Sequence, residues 1–179
     1  MSVESPFILV DPERCLGCRT CETACAAAHT RAGTTLGAVL AGEALQPRNH
    51  VVQVDATKLV TQCRQCEDAP CVRVCPTGAT FRTDTYTAVD PRLCIGCRLC
   101  MMVCPFGAIR LGSAEVGGRP KRAAMKCDLC VERAAGPACV AACPTGALSL
   151  QNPQAVIRQS SRATARQFLD ALASGQPTA

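Results

Sequence analysis

The sequence predicts an α+β fold built from one short unit used four times: strand, cysteine-rich loop, helical turn, strand. Three observations carry this expectation. The 179 residues include 16 cysteines, and these form four groups of four with none left over. Three groups end in the same run, Cys-Pro-Thr-Gly-Ala or Cys-Pro-Phe-Gly-Ala, starting at Cys75, Cys104 and Cys143. Aromatic residues are only 3% of the chain, with no Trp. Large side chains therefore cannot fill the interior, and something bound by the cysteines must do so.

The elements follow in order. Phe7, Ile8, Leu9 and Val10 read as a first strand, and Asp11-Pro12 as the turn after it. Group one is Cys15, Cys18, Cys21 and Cys25, spaced C-x2-C-x2-C-x3-C. Ala26, Ala27, Ala28 and His29 follow without a proline, so this helix can run on. Residues 30–62 carry Gly33, Gly37, Gly42 and Pro47, then a strand-like stretch from Val51 to Val54. They read as an insertion that covers a bound group or docks a partner. Group two is Cys63, Cys66, Cys71 and Cys75, spaced C-x2-C-x4-C-x3-C. Pro76 stops the helical turn and Gly78 permits the bend into a strand. Ala88 and Val89, with Asp90-Pro91, form the strand and turn entering group three, which is Cys94, Cys97, Cys100 and Cys104 at the group-one spacing. Pro105 and Gly107 lead to a strand at Ala108–Leu111. Group four is Cys127, Cys130, Cys139 and Cys143, with eight residues before its third cysteine. Pro144 and Gly146 lead to a strand at Ala147–Leu150. Asn152 caps a last helix with Pro153 at its first position. Ala165, Phe168, Leu169 and Leu172 give that helix an apolar stripe, and Gly175 stops it.

Groups one and three have the bacterial spacing for a [4Fe–4S] cluster, and groups two and four are the same pattern with a longer loop. The tight loop brings three thiolates to one corner of a cube. The fourth cysteine starts the next helical turn and points to a neighbouring cluster. Spacing leaves open which groups pair. Zinc ribbons use two separated C-x2-C knuckles, not a triple followed by Cys-Pro. A disulfide framework would require export, and Met1–Val10 has no basic segment before an apolar run. With no run of about 18 apolar residues, the chain reads as cytoplasmic, reduced and without a membrane span. The formal charge is +5, but 16 of the 19 basic residues are scattered arginines. Four loaded clusters would turn it to about −3, so a nucleic-acid partner is not implied. Glu67, Asp68, Asp84 and Asp90 read as solvated loop residues rather than acid–base groups, and with the cysteine quartets already full His29 and His50 are not needed as ligands or proton carriers. Gly117-Gly118 belongs to no phosphate-binding pattern.

With CLGCRTCETAC at 15–25 and His29 beyond it, CRQCEDAPC at 63–71 and CIGCRLC at 94–100, the chain resembles four-cluster, ferredoxin-like electron-transfer subunits over residues 5–150. These include the small iron–sulfur subunits of formate hydrogenlyase, of carbon monoxide dehydrogenase systems and of molybdenum or tungsten enzymes. The resemblance implies two ferredoxin-like two-cluster modules, nested in sequence. The outer one is 1–29 plus 112–150, and the inner one is 63–111. The insertion is 30–62, and 151–179 is the C-terminal helix and tail. It implies four ligand sets: Cys15, Cys18, Cys21 and Cys143; Cys25, Cys127, Cys130 and Cys139; Cys63, Cys66, Cys71 and Cys104; Cys75, Cys94, Cys97 and Cys100.

The expected function is a relay of single electrons through four [4Fe–4S] clusters, with no catalysis by this chain. One implied partner is a metal-cofactor enzyme: aldehyde oxidoreductase, formate dehydrogenase, carbon monoxide dehydrogenase or a hydrogenase. The other is a flavoprotein, a hydrogenase or a second copy of the chain. The rivals are a freely diffusing polyferredoxin and, more remotely, a zinc-binding interaction module.

Overall fold

The structure is a computed structural model and describes residues 5–174. Its elements are short, as the turn-rich sequence requires. The first half contains β1 (Phe7–Val10), α1 (Thr20–Ala28), α2 (Thr35–Leu40), β2 (His50–Val54), β3 (Thr57–Thr61), α3 (Pro70–Arg73) and β4 (Thr80–Arg82). The second contains β5 (Thr87–Val89), α4 (Leu99–Met102), β6 (Arg110–Val116), β7 (Arg119–Met125), α5 (Ala138–Ala141), β8 (Leu148–Gln151) and α6 (Pro153–Ser174). The expected α+β class is what the chain adopts.

The strands form four two-stranded antiparallel sheets: β1 with β8, β2 with β3, β4 with β5, and β6 with β7. Only the first joins distant parts of the chain, with Phe7 opposite Gln151 and Val10 opposite Leu148. Helices pack in the same sense, α1 against α5 and α3 against α4. α1 runs nine residues while α3, α4 and α5 run four. Each short helix is followed within two or three residues by Cys-Pro; α1 is not, and it continues through the alanines.

Two buried clusters form the core. One gathers Ile8, Val60, Leu129 and Leu148 around Cys21, Cys63, Cys127 and Cys139. The other gathers Ala79, Ile109, Ala123 and Ala124 around Cys71, Cys94 and Cys100. The predominance of Ala and Cys matches the shortage of aromatics. Buried amides tie the parts together. Gln65 Nε2 donates to the Cys127 carbonyl at 2.9 Å, and Gln65 Oε1 accepts from the Thr87 amide at 3.0 Å. Gln62 Nε2 donates to the Ile8 carbonyl at 3.0 Å.

Three expectations need correction or extension. The strand expected at 108–111 starts at Arg110 and is longer, because Ala108 and Ile109 are buried in the two cores and Gly117-Gly118 turns β6 back into β7. The insertion holds the α2 helix and the β2–β3 hairpin as well as the expected strand. It is stitched to the rest through Gln46 and Ser113, which exchange two hydrogen bonds, and through Glu22, which accepts from the Val51 amide at 2.6 Å. The last helix forms where expected, with Asn152 Oδ1 accepting from the Gln154 amide at 2.9 Å. Its stripe is not packed on the body, since Phe168, Leu169 and Leu172 are all more than half exposed. Gly175 lies outside the described residues. Among the described residues no helix is long and apolar enough to cross a membrane.

Candidate metal centres

All four C-x2-C loops make the same backbone move. The residue just before the second cysteine lies in the left-handed region in each: Gly17 at φ 70°, Gln65 at 52°, Gly96 at 71° and Leu129 at 62°. Glycine takes this conformation without strain. Gln65 and Leu129 take it at a cost, and both are buried and held: Gln65 by its amide bonds, Leu129 in the core. The turn aims two sulfurs at one point. The helix after each loop carries the third cysteine, and the fourth leaves at or just beyond its end.

Three small cavities result, each walled by cysteines of two motifs. Cys15, Cys18, Cys21 and Cys143 line one. Cys63, Cys66, Cys71 and Cys104 line the second. Cys75, Cys94, Cys97 and Cys100 line the third. The remaining four lie together as well: Cys127 interacts with Cys139 and Cys25, and Cys139 with Cys25 and Cys130. The structure thus sets cysteines of different motifs side by side, and every cysteine is a free thiol.

The donor chemistry fits iron–sulfur ligation. Burial pushes the thiols of Cys21 and Cys71 up to about 11, that of Cys139 to about 12 and that of Cys127 further still. Such sulfurs resist becoming thiolates alone and do so only when a cation takes the proton's place. Amides already point at them. Arg48 N donates to Cys25 Sγ at 3.3 Å, Ala124 N to Cys94 at 3.3 Å, Leu129 N to Cys127 at 3.4 Å and Ala147 N to Cys143 at 3.2 Å. At Cys75 modest burial is outweighed by the amides of Thr80 and Thr77, which bring the thiol down to about 7. Bonds of this kind to ligand sulfur tune a cluster's potential.

Two polar groups at the sites escaped the sequence reading. Asp128 Oδ1 lies 3.1 Å from His29 Nε2, and its other oxygen pairs with the Arg48 guanidinium. His29 Nδ1 donates to the Cys25 carbonyl at 2.6 Å. Burial disfavours a charged His29, but the bonds to Asp128, Cys130 and Cys25 outweigh it and push the imidazole up to about 12. Burial likewise opposes a charged Asp128, and His29 and Arg48 overcome it, holding the carboxyl well below its usual range. Donor atoms of His29, Asp128 and Cys130 lie within 4.8 Å of one another, yet His29 and Asp128 are already committed to each other and to Arg48. The second group is Lys126, buried, with Nζ 3.5 Å from Cys63 Sγ. Its charge favours the thiolates of Cys66 and Cys71. Both Asp128 and Lys126 adjoin Cys127 in sequence, the one signal that could have drawn attention to them. His50, Glu67, Asp68 and Asp84 gather into no acid–base site, and Asp90 binds Arg92 within its own turn.

Comparison with known proteins agrees with this geometry. A family model described as a 4Fe-4S dicluster domain matches residues 54–153, and one described as a 4Fe-4S binding domain matches residues 7–30. An iron-sulfur protein of Rhodospirillum rubrum is 47% identical, covering 82% of each chain. Electron transport protein HydN of Escherichia coli is 46% identical, covering 79% of this chain and 85% of its own. Formate hydrogenlyase subunit 2 of Escherichia coli is 33% identical, covering 87% of this chain and 86% of its own. On cysteine geometry and kinship together, the chain belongs to the 4Fe-4S dicluster-domain family: it is a ferredoxin-like electron-transfer protein.

Proposed function

We propose that the chain holds four [4Fe–4S] clusters in two nested modules and relays single electrons between a catalytic oxidoreductase subunit and a second redox partner. The observation that carries this reading is that three cavities are each walled by one complete cysteine quartet drawn from two motifs. The ligand sets are those cavity linings, plus Cys25, Cys127, Cys130 and Cys139. Pairing of group one with four, and of two with three, is supported by α1 on α5, α3 on α4, β1 on β8 and β4 on β5. The outer module is then 1–29 plus 112–150 and the inner one 63–111. Residues 30–62 lie over the outer sites, since Arg48 and Asn49 bond to Cys25 and to the Cys21 carbonyl.

When bound, such a cluster stores and releases one electron. The chain's residues hold it, keep water away and set its potential. Interactions between neighbouring quartets support a linear order. Cys139 feels Cys21, Cys71 feels Cys100, and Lys126 spans Cys63 and the Cys127 carbonyl. The order runs from the set with Cys18, through the sets with Cys130 and Cys66, to the set with Cys97. Cys18 and Cys97 are exposed, which suits the two ends of a relay. Exposed Leu16 lies beside one, and exposed Ile95 and Met102 near the other.

One partner is a metal-cofactor enzyme of the molybdenum, tungsten, carbon monoxide dehydrogenase or hydrogenase classes, a reading the formate hydrogenlyase relative supports. The other is a flavoprotein, a hydrogenase or a second copy of this chain. Cysteine ligation of this kind suits a reducing compartment, which supports a cytoplasmic location. Anaerobically prepared protein is expected to contain about 16 iron and about 16 acid-labile sulfide per chain, with a broad visible band. Iron that levels off near eight after repeated reconstitution, or a colourless zinc-loaded protein, would sink the reading.

A further inference from the structure

We infer that the buried ammonium of Lys126 raises the reduction potential of the group held by Cys63, Cys66, Cys71 and Cys104, and so sets the level of the relay at its middle. The inference rests on the ligand sets proposed above.

Lys126 is 4% exposed. It occupies the single position between the end of β7 and Cys127. Its Nζ donates to three acceptors: the Thr87 carbonyl, the Cys127 carbonyl at 3.3 Å and Cys63 Sγ at 3.5 Å. None of the ion pairs among the described residues includes it. A buried ammonium is costly unless negative charge compensates it. Two carbonyl dipoles do so in part. The sulfur is the acceptor whose site becomes strongly negative when loaded, because four thiolates around a cubane core carry about −2, and about −3 after one electron is added.

The sign follows from this difference. The attraction between the ammonium and the loaded site grows when the site is reduced, so the reduced form gains more. Its potential rises. The effect is local, because Lys126 is the only Lys or Arg side chain, among the described residues, that donates to a cysteine sulfur. The one other hydrogen bond from a Lys or Arg to a cysteine sulfur among the described residues comes from backbone, at Arg48 N. The Cys127 carbonyl ties the same ammonium to the next ligand set in line, so the charge sits at the junction of the two modules.

The test is a redox titration monitored by electron paramagnetic resonance on the full chain, prepared anaerobically, with Lys126→Met, Lys126→Gln and Lys126→Arg beside the parent. Methionine removes the charge and the donor, glutamine only the charge, and arginine keeps both. One reduction wave is expected to fall in Met and Gln by tenfold or more in its reduction equilibrium, which is about 59 mV for one electron. The other waves hold, and Arg keeps the parent value. Iron content is measured on each sample and separates the two levels of the argument. A parent with iron near eight overturns the ligand sets themselves. Fully loaded Met and Gln variants with unmoved waves overturn the inference alone. Iron lost from both neutral variants also overturns it, because Lys126 would then serve assembly rather than potential.

Discussion

Asp128 sits between Cys127 and Cys130, two proposed ligands, and faces two cations, His29 and Arg48. Each of the three side chains is mostly buried, so their charges are screened less than at a surface. Replacing Asp128 with Asn keeps the shape and removes the negative charge. The expected cost is about 1.5–3 kcal/mol, the range for hydrogen bonds to charged groups, read as a drop in melting temperature. The dependence on pH follows from the two shifts. Asp128 is held low, so its contribution is present above the ordinary carboxylate value of 3.8 and is lost as pH falls below it. His29 is raised, so its contribution is full below the ordinary value of 6.5 and declines as pH rises toward about 12. The gap between parent and Asp128→Asn is therefore widest between pH 3.8 and 6.5 and narrows on both sides. Melting curves for the pair across that range check this; a gap independent of pH would refute it.

The pairing of β1 with β8 is the element that supports the proposed nested arrangement. Ile8 is almost wholly buried opposite Leu150, and Val10 lies opposite Leu148 at the mouth of the cavity that Cys143 completes. Replacing Cys143 with Ser is therefore expected to disturb the site built on Cys15, Cys18 and Cys21, more than a hundred residues away in sequence. Spectroscopy of the variant settles it: a loss confined to the site of Cys94, Cys97 and Cys100 would favour sequential pairing of the groups. β1 itself was legible, because four apolar residues before an Asp-Pro turn permit little else. The iron–sulfur character was legible for a similar reason: the spacing of the cysteines suits the geometry of a cube. The β6–β7 hairpin was not, since its outer half is polar and its turn is a glycine pair without an apolar alternation around it. Lys126 and Asp128 were invisible because a lone charge beside a cysteine looks the same in solvent and in a core. Only tertiary packing tells which.

At the scale of the whole molecule the balance of surfaces matters most. The body is closed around its cysteine sites, while α6 carries Ile157, Phe168, Leu169 and Leu172 in the open, with Arg158, Arg162 and Arg166 along the same helix. The body does not cover this stripe. A relay also needs contact at both ends. Protein purified anaerobically from its source is thus expected to run as a complex well above the 18.7 kDa of one chain. Light scattering on the eluted peak measures this. A lone monomer that reduces its natural acceptor at full rate would favour the free polyferredoxin.

The closure of β1 on β8 also has a consequence in time. A ribosome delivers the N-terminus first, and Cys143 follows Cys15 by 128 residues. At roughly 5–20 residues per second, that interval is about 6–26 s. Throughout it β1 has no strand to pair with, and the first three thiols lie open to oxidation and to the wrong metal. Cys63 to Cys104, by contrast, emerge within one short stretch. On the proposed ligand sets, the inner half can mature while the chain is still being made, and the outer half must wait for Cys143. A cell short of iron, or rich in oxygen, would then lose the two halves of this protein in different ways: the inner half by failed supply, the outer half by damage before its last proposed ligand has been made.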